Sequence, residues 1–201
     1  DTRLSRGLGD VYKRQPGKRP ESIAIACHYD IKAIPKKTFV GANDGGSGVG
    51  LTLELARKFA EKYADKDGDR PPFTLKFVFF DGEEAFHDWH MTFKGEKAEK
   101  DTEYHDNCYG SRYMAARNDV EKIETLVLLD MIGDANLELT YETGSHPNLL
   151  QIMSDTMVDV FGQKIWGRKK QILDDHLSFK EVGMRRVIDL IDFEYGANNQ
   201  Y

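Results

Sequence analysis

The chain has 201 residues, 40% of them hydrophobic and 31% charged, enough for one domain with a sizeable core and too little for two. Lys and Arg total 28 against 34 Asp and Glu, a net charge of -6 with a pI near 5.6, so the basic footprint of a nucleic-acid binder is missing. No stretch approaches the roughly 20 consecutive apolar residues of a membrane-spanning helix, and the two cysteines, Cys27 and Cys108, cannot form a four-thiolate zinc site, so any metal must use His, Asp or Glu.

Residues 1–15 stand apart. They carry four basic and two acidic residues, two glycines and no helical or strand period. The run Gly9–Gln15 resembles translated adaptor sequence, so 1–15 is read as a non-native leader and 16–201 as an incomplete catalytic domain. From Glu21 onward, short apolar runs alternate with amphipathic stretches. Strands are expected at 23–26, at 73–80 (FTLKFVFF), at 125–131 (TLVLLDM) and at 187–193 (VIDLIDF). Between them, Val49, Leu53, Ala56, Phe59, Ala60 and Tyr63 recur at helical spacing, as do Leu149, Leu150, Met153, Met157, Val160 and Phe161. A further short helix is expected over 175–182, closed by Gly183. The charged segments 87–107 and 162–173 lack a clear period and read as long surface loops. Strand followed by helix, repeated, predicts an α/β fold with a mostly parallel sheet.

Each expected strand ends in acidic or imidazole side chains: His28 to Asp30 after the first, Asp81 to Glu84 after the second, Asp130 after the third, Asp192 and Glu194 after the fourth. The carboxyl ends of parallel strands share one edge, where ligands bind. Acid gathered there repels itself unless something positive sits among it, and a divalent cation is the economical answer. Oxygen donors with histidine suit zinc. Of the neighbours Glu83 and Glu84, one can ligate while the other stays free as a general base; the plain alternative for Asp-Gly-Glu-Glu is a solvated acidic turn.

Asp44 lies in the glycine-dense run Gly41–Gly48 that leads into a helix. The run has neither the lysine of a phosphate-binding loop nor the spacing of a dinucleotide motif or of a serine-hydrolase elbow. What remains is a carboxylate on a backbone free to approach a ligand closely. His28, with Asp30 two residues on, is either a metal ligand with its orienting carboxylate or a strand-end histidine satisfied by an acid. His87, His90, His105 and His146 read as loop residues. Asp174 and Asp175 precede a helix, where an acidic cap is expected in any case.

Taken together, ACHYD (26–30), FVGANDGGSGVGLTLELAR (39–57), FVFFDGEEAF (77–86) with Trp89, YGSR (109–112), LVLLDMIGD (126–134) and DDHLSF (174–179) resemble the glutaminyl-peptide cyclotransferases and their relatives, the co-catalytic zinc aminopeptidases. The segments follow the family's order. The resemblance implies a three-layer α/β sandwich with a mostly parallel central sheet flanked by helices, and a secreted or periplasmic protein. It implies that Asp44 and Glu84 are zinc ligands, that Glu83 is the general acid/base with Asp130 and Asp174 as acidic partners, and that Trp89 is a wall of the substrate pocket. The family's third zinc ligand is a histidine shortly after the last strand, expected here beyond Tyr201. One zinc and peptide N-termini as substrate are implied, with N-terminal Gln converted to pyroglutamate. In the aminopeptidase alternative, His28 and Asp130 bind a second zinc bridged by Asp44 and Glu83 activates water; a metal-free binding domain on the same scaffold is the third reading. Cys27 pairs in some animal cyclotransferases with a cysteine in the following loop or helix, and this sequence has none there.

Overall fold

The computed structural model describes residues 11–64, 69–85, 92–94, 103–117 and 123–194. Its centre is a five-stranded sheet: β1 (Val11–Gln15), β2 (Arg19–His28), β3 (Phe73–Phe80), β6 (Ile123–Asp130) and β9 (Val187–Ile191), in the order β1-β3-β2-β6-β9. The last four are mutually parallel, and β1 runs antiparallel along the outer edge of β3. Four short strands make two ribbons, β4 (Thr92–Lys94) with β5 (Glu103–His105) and β7 (Leu139–Glu142) with β8 (Trp166–Lys170). The helices are α1 (Gly46–Lys62), α2 (Tyr109–Ala116), α3 (Pro147–Phe161) and α4 (Asp175–Glu181).

Period-two alternation sorts the strand side chains into two cores. Ala24, Ala26, Val78, Phe80, Leu126, Leu128 and Val187 pack with Ala115 of α2 and Phe179 of α4. On the opposite face Ile25, Leu75, Phe77, Leu129, Ile188 and Leu190 pack with Ala56 of α1 and with Leu150 and Met157 of α3. Helices on both faces of a mostly parallel sheet give the three expected layers. The buried stripe of α1 is Gly48, Thr52 and Ala56, small residues that let the helix lie close to the sheet. A Cβ on Gly48 would stand 2.5 Å from the Leu129 carbonyl oxygen and 2.9 Å from the Cys27 Cβ, so only glycine fits there. Both cysteines are free and buried.

The expected elements are present, with three differences. Residues 11–15, in which the sequence shows no strand period, pair with Phe79 through Leu75 of β3; an edge strand is held by main-chain hydrogen bonds and needs no alternation of side chains. The segment 162–173, expected as loop, contains β8. Its tie to β7 is supported by packing: Trp166 stands edge-on to Tyr141, ring centroids 5.5 Å apart, and donates its Nε1–H to Ser154 Oγ at 2.8 Å. Within 87–107, residues 92–94 and 103–105 pair as β4 and β5. No helix among the described residues is long and apolar enough to cross a membrane.

Candidate metal centre and acidic active site

The carboxyl ends of β2, β3, β6 and β9 open onto one cavity of about 680 Å³. Asp44, Glu83, Glu84, Asp130 and Asp174 all line it, with Lys32, Met131, Ile172, Ile191 and Phe193. Five of the sequence-derived site residues are therefore brought together. His28 lies directly beneath, its Nε2 3.1 Å from Asp130 Oδ1 and 3.2 Å from Asp44 Oδ1. Trp89 lies outside the described residues, as do His87 and His90.

Three loops deliver these side chains. Gly45 takes φ +85°, and a Cβ there would meet the Asp30 carbonyl oxygen at 2.9 Å and His28 Cε1 at 3.3 Å. The glycine-rich run is thus shaped to bring Asp44 onto the end of β2. Asn43 and Ser47 then grip the turn after β6: Gly133 N donates to Asn43 Oδ1 at 2.6 Å, Ile132 N donates to Ser47 Oγ at 3.0 Å, and Asn43 Nδ2 donates to the Met131 carbonyl at 3.3 Å. Met131 is held at φ +48°, and Asp130 beside it is fixed against the Asp44 loop. Asp30 performs the third tie. Its two carboxylate oxygens accept the backbone N–H groups of Glu83 and Glu84, each at 3.0 Å. The carbonyls of Asp81, Gly82 and Glu83 accept the N–H groups of Gly110, Tyr109 and Cys108 at 2.8–2.9 Å, so α2 holds the same turn from the other side.

The electrostatics follow from crowding. Burial raises Glu83 well above the usual carboxyl range; His28 opposes this, while Asp175, Asp130 and Glu84 add to it. Glu84 is pushed to about 7 by burial and then by Asp44, with Lys32 opposing from 3.2 Å. Asp174 is raised by burial, then by Asp189, Asp130 and Glu83. Burial alone would strip His28 of its proton, yet Asp130, Asp30 and Asp44 outweigh burial and raise it well above its ordinary value. His28 thus stands between Asp44 and Asp130 in surroundings that favour positive charge. That is the kind of counter-charge a cation supplies, and one donor atom each from His28, Asp44 and Asp130 lies within 4.8 Å of the others. The nitrogen and oxygen donors fit zinc or a similar divalent ion.

Other expected residues have different duties. Asp192 accepts the N–H groups of Glu138 and Glu194 at 3.2 Å and shapes a turn; from the end of β9, Ile191 and Phe193 reach the cavity instead. His146 caps α3 by accepting Asn148 N. Asp174 caps α4, accepting Asp175 N at 2.6 Å through Oδ1, while its buried Oδ2 has no hydrogen-bond partner. Helix capping and membership of the cavity therefore fall on the same aspartate.

A second ionisable group, behind Asp174, was not singled out from the sequence. His176 of α4 is fully buried between Glu142 of β7 and Asp189 of β9. Its Nε2 is 3.5 Å from Glu142 Oε2 and its Nδ1 3.6 Å from Asp189 Oδ2. Glu142 also accepts Gly144 N at 2.7 Å, Ser145 Oγ at 2.8 Å and Ile172 N at 3.2 Å. The available signal was Asp189 itself, a lone acid inside the apolar run Val187–Ile191.

The model of peptidase family M28 matches residues 10–201. The chain belongs to peptidase family M28. Curated relatives include the glutaminyl-peptide cyclotransferase of Bos taurus, 34% identical over 130 residues (55% of this chain and 32% of that protein). That of Gloydius blomhoffii is 37% identical over 135 residues, 57% of this chain and 33% of that protein. This M28 chain thus spans about a third of the length of those relatives. Among solved structures, an Acidobacteriales bacterium glutaminyl cyclase superposes with a TM-score of 0.77 at 30% identity, over 93% of this chain and 59% of that one. A leucine aminopeptidase precursor from Bacteroides thetaiotaomicron, at 22% identity and a TM-score of 0.69 over 95% of this chain and 68% of that one, shares the fold.

Two outcomes are expected from this geometry. In Asp30→Asn one of the two amide clamps is lost; zinc affinity, measured by calorimetric titration, falls roughly 10- to 100-fold and stability drops by about 1–3 kcal/mol, whereas unchanged affinity would show that Asp30 does not set the Glu83–Glu84 turn. The second concerns acid stability. Burial would raise Glu142, but His176, Gly144 N–H and Ser145 outweigh it and bring it from 4.5 to about 2. A depressed carboxyl contributes stability in full above the unfolded value and loses it as pH falls through the folded one, so this contribution disappears between about pH 4.5 and 2. Asp174 and Asp189, both raised, act in the opposite sense and cost stability as pH rises. Urea unfolding of Glu142→Gln should therefore show a flatter acid limb than the parent; parallel limbs would contradict the assignment.

Proposed function

We propose that this chain carries the catalytic centre of a zinc-dependent glutaminyl-peptide cyclotransferase, converting an N-terminal glutamine to pyroglutamate with release of ammonia. The observation that carries the reading is the division of labour between two adjacent glutamates. Glu83 is buried and its affinity for a proton is raised, which suits a carboxylate that must take up a proton and release it again, while Glu84 and Asp44 line the same cavity as candidate ligands. The curated relatives bearing the cyclotransferase name, at 34% and 37% identity, support the choice of reaction.

In this reading Asp44 and Glu84 hold one zinc, with a third protein ligand supplied from outside the described residues. Bound there, the metal supplies Lewis-acid polarisation of the γ-amide carbonyl of the substrate. The chain's own residues do the rest. Glu83 accepts a proton from the substrate α-amine as its nitrogen forms a bond to the γ-carbonyl carbon, and delivers that proton to the amide nitrogen as the carbon–nitrogen bond breaks and ammonia leaves. Glu83 ends in the protonation state in which it began. Asp130 and Asp174 keep the Glu83 carboxyl oriented, and the three share protons as a cluster. Ile34, Leu173 and Phe193 line the same cavity and offer an apolar wall to the peptide that follows the glutamine.

A second reading, an aminopeptidase with two zincs, draws on the closeness of His28, Asp44 and Asp130. His28 and Asp130 would then hold the second ion with Asp44 between the two, and Glu83 would take a proton from water. Product mass separates the readings. A peptide beginning in Gln should lose the mass of one ammonia and keep its length, whereas a peptide shortened by one residue would establish hydrolysis. Glu83→Gln should keep its zinc, measured by elemental analysis, and lose activity by roughly 10²- to 10⁴-fold; loss of the metal instead would reverse the roles assigned to Glu83 and Glu84.

A further inference from the structure

The fully buried trio Glu142, His176 and Asp189 has no part in the reaction as written, yet it lies directly behind the cavity. One donor atom each from Asp174, His176 and Asp189 lies within 4.8 Å of the others. Neither ring nitrogen of His176 and neither carboxylate oxygen of Asp189 has a conventional hydrogen-bond partner. A buried imidazole flanked by carboxylates at 3.5 and 3.6 Å costs more to place than an apolar side chain of the same volume, so core packing alone does not account for it.

Glu142 accepts three protein donors and is the ionised end, able only to accept; the proton between it and His176 therefore sits on Nε2. On the other side burial, Asp130 and Glu142 favour a proton on Asp189, which leaves one proton between Asp189 and His176 Nδ1, 3.6 Å apart. Whether that proton rests on the nitrogen or on the carboxyl, the trio holds one net negative charge. With the proton on Asp189, all of that charge is on Glu142, at the end away from Asp174. Asp189 is, after burial, the largest influence on Asp174. The groups facing the trio are Asp174 and Asp175 of α4 and Asp130 of β6, so a second unshielded negative charge at Asp189 would add to an already crowded cluster.

We propose that His176 is a positioning residue for Asp174: its Nε2–H points at Glu142, its Nδ1 and Asp189 hold one proton between them, and this keeps the side of the trio that faces Asp174 free of unshielded negative charge. Asp174 can then present its unpartnered Oδ2 to the Glu83 side of the cavity instead of turning from a charged neighbour. The inference rests on the acid–base role given to Asp174 above.

Two measurements test it. The first uses the wild-type chain and needs no turnover: a two-bond ¹H–¹⁵N correlation spectrum of the histidine rings at neutral pH. The expected His176 pattern has the proton on Nε2, and an unprotonated Nε2 would overturn the proposal even if no variant folds. The second is steady-state kinetics on a glutamine-initiated peptide with His176→Gln, whose amide retains a donor near the Nε2 position but nothing at Nδ1, and with Glu142→Gln. Each should lower kcat roughly 10- to 100-fold with KM within about twofold, and the double variant should be no slower than the slower single one, because both act on one line of groups. Folded variants with wild-type kcat would reduce His176 to a packing role and overturn the proposal. Absence of pyroglutamate from the wild-type enzyme would count against the cyclotransferase reading, and the ring spectrum would still decide the placement of the His176 proton.

Discussion

Carboxylate crowding at the carboxyl edge of the parallel sheet is the constraint from which the other features follow. Two like charges about 4 Å apart repel by about 4 kcal/mol at the effective dielectric of a protein surface, more than a single hydrogen bond returns. Asp44, Glu83, Glu84, Asp130 and Asp174 surround one cavity, and the fold offsets their repulsion in three ways. His28 stands between Asp44 and Asp130, Lys32 reaches Glu84, and burial favours the protonated forms of Glu83 and Asp174. Asp44 and Glu84 still line the cavity, and their oxygen donors suit a divalent ion.

The scaffold is built to hold this arrangement still. The turns that carry Asp44, Glu83 with Glu84, and Asp130 are tied to one another rather than left as independent loops. Asp30, on the segment after β2, holds the amides of the turn after β3. Asn43 and Ser47, at the start of α1, hold the turn after β6. Gly45 and Gly48 let α1 come close enough for those contacts. A site assembled from several strand ends depends on such cross-ties, because a displacement of one ångström at a ligand or a base is costly to catalysis.

Much of this was legible in the sequence. The strand at 73–80 coincides with its expected bounds, and the acids that follow the strands share an edge because parallel strands leave them no other place. The same reasoning overreached at Asp192, where a strand-end acid caps a turn. The part Asp30 plays in the turn after β3 is hidden in the sequence, because a carboxylate that accepts main-chain amides from a distant turn leaves no pattern along the chain. Glu142, His176 and Asp189 come from three elements, β7, α4 and β9, and meet only in three dimensions. The strand β8 leaves little trace in the sequence because its burial is partial and its last three residues are exposed and basic.

The central claim is that Asp44 and Glu84 converge on a single ion while the neighbouring Glu83 stays free. Anomalous diffraction at the zinc edge, from crystals of the protein grown with zinc, tests it most directly. The account predicts one peak, within about 2.2 Å of a carboxylate oxygen of Asp44 and of Glu84, with Glu83 and His28 uncoordinated. A peak bound by Glu83, or a second peak bound by His28 and Asp130, would contradict it.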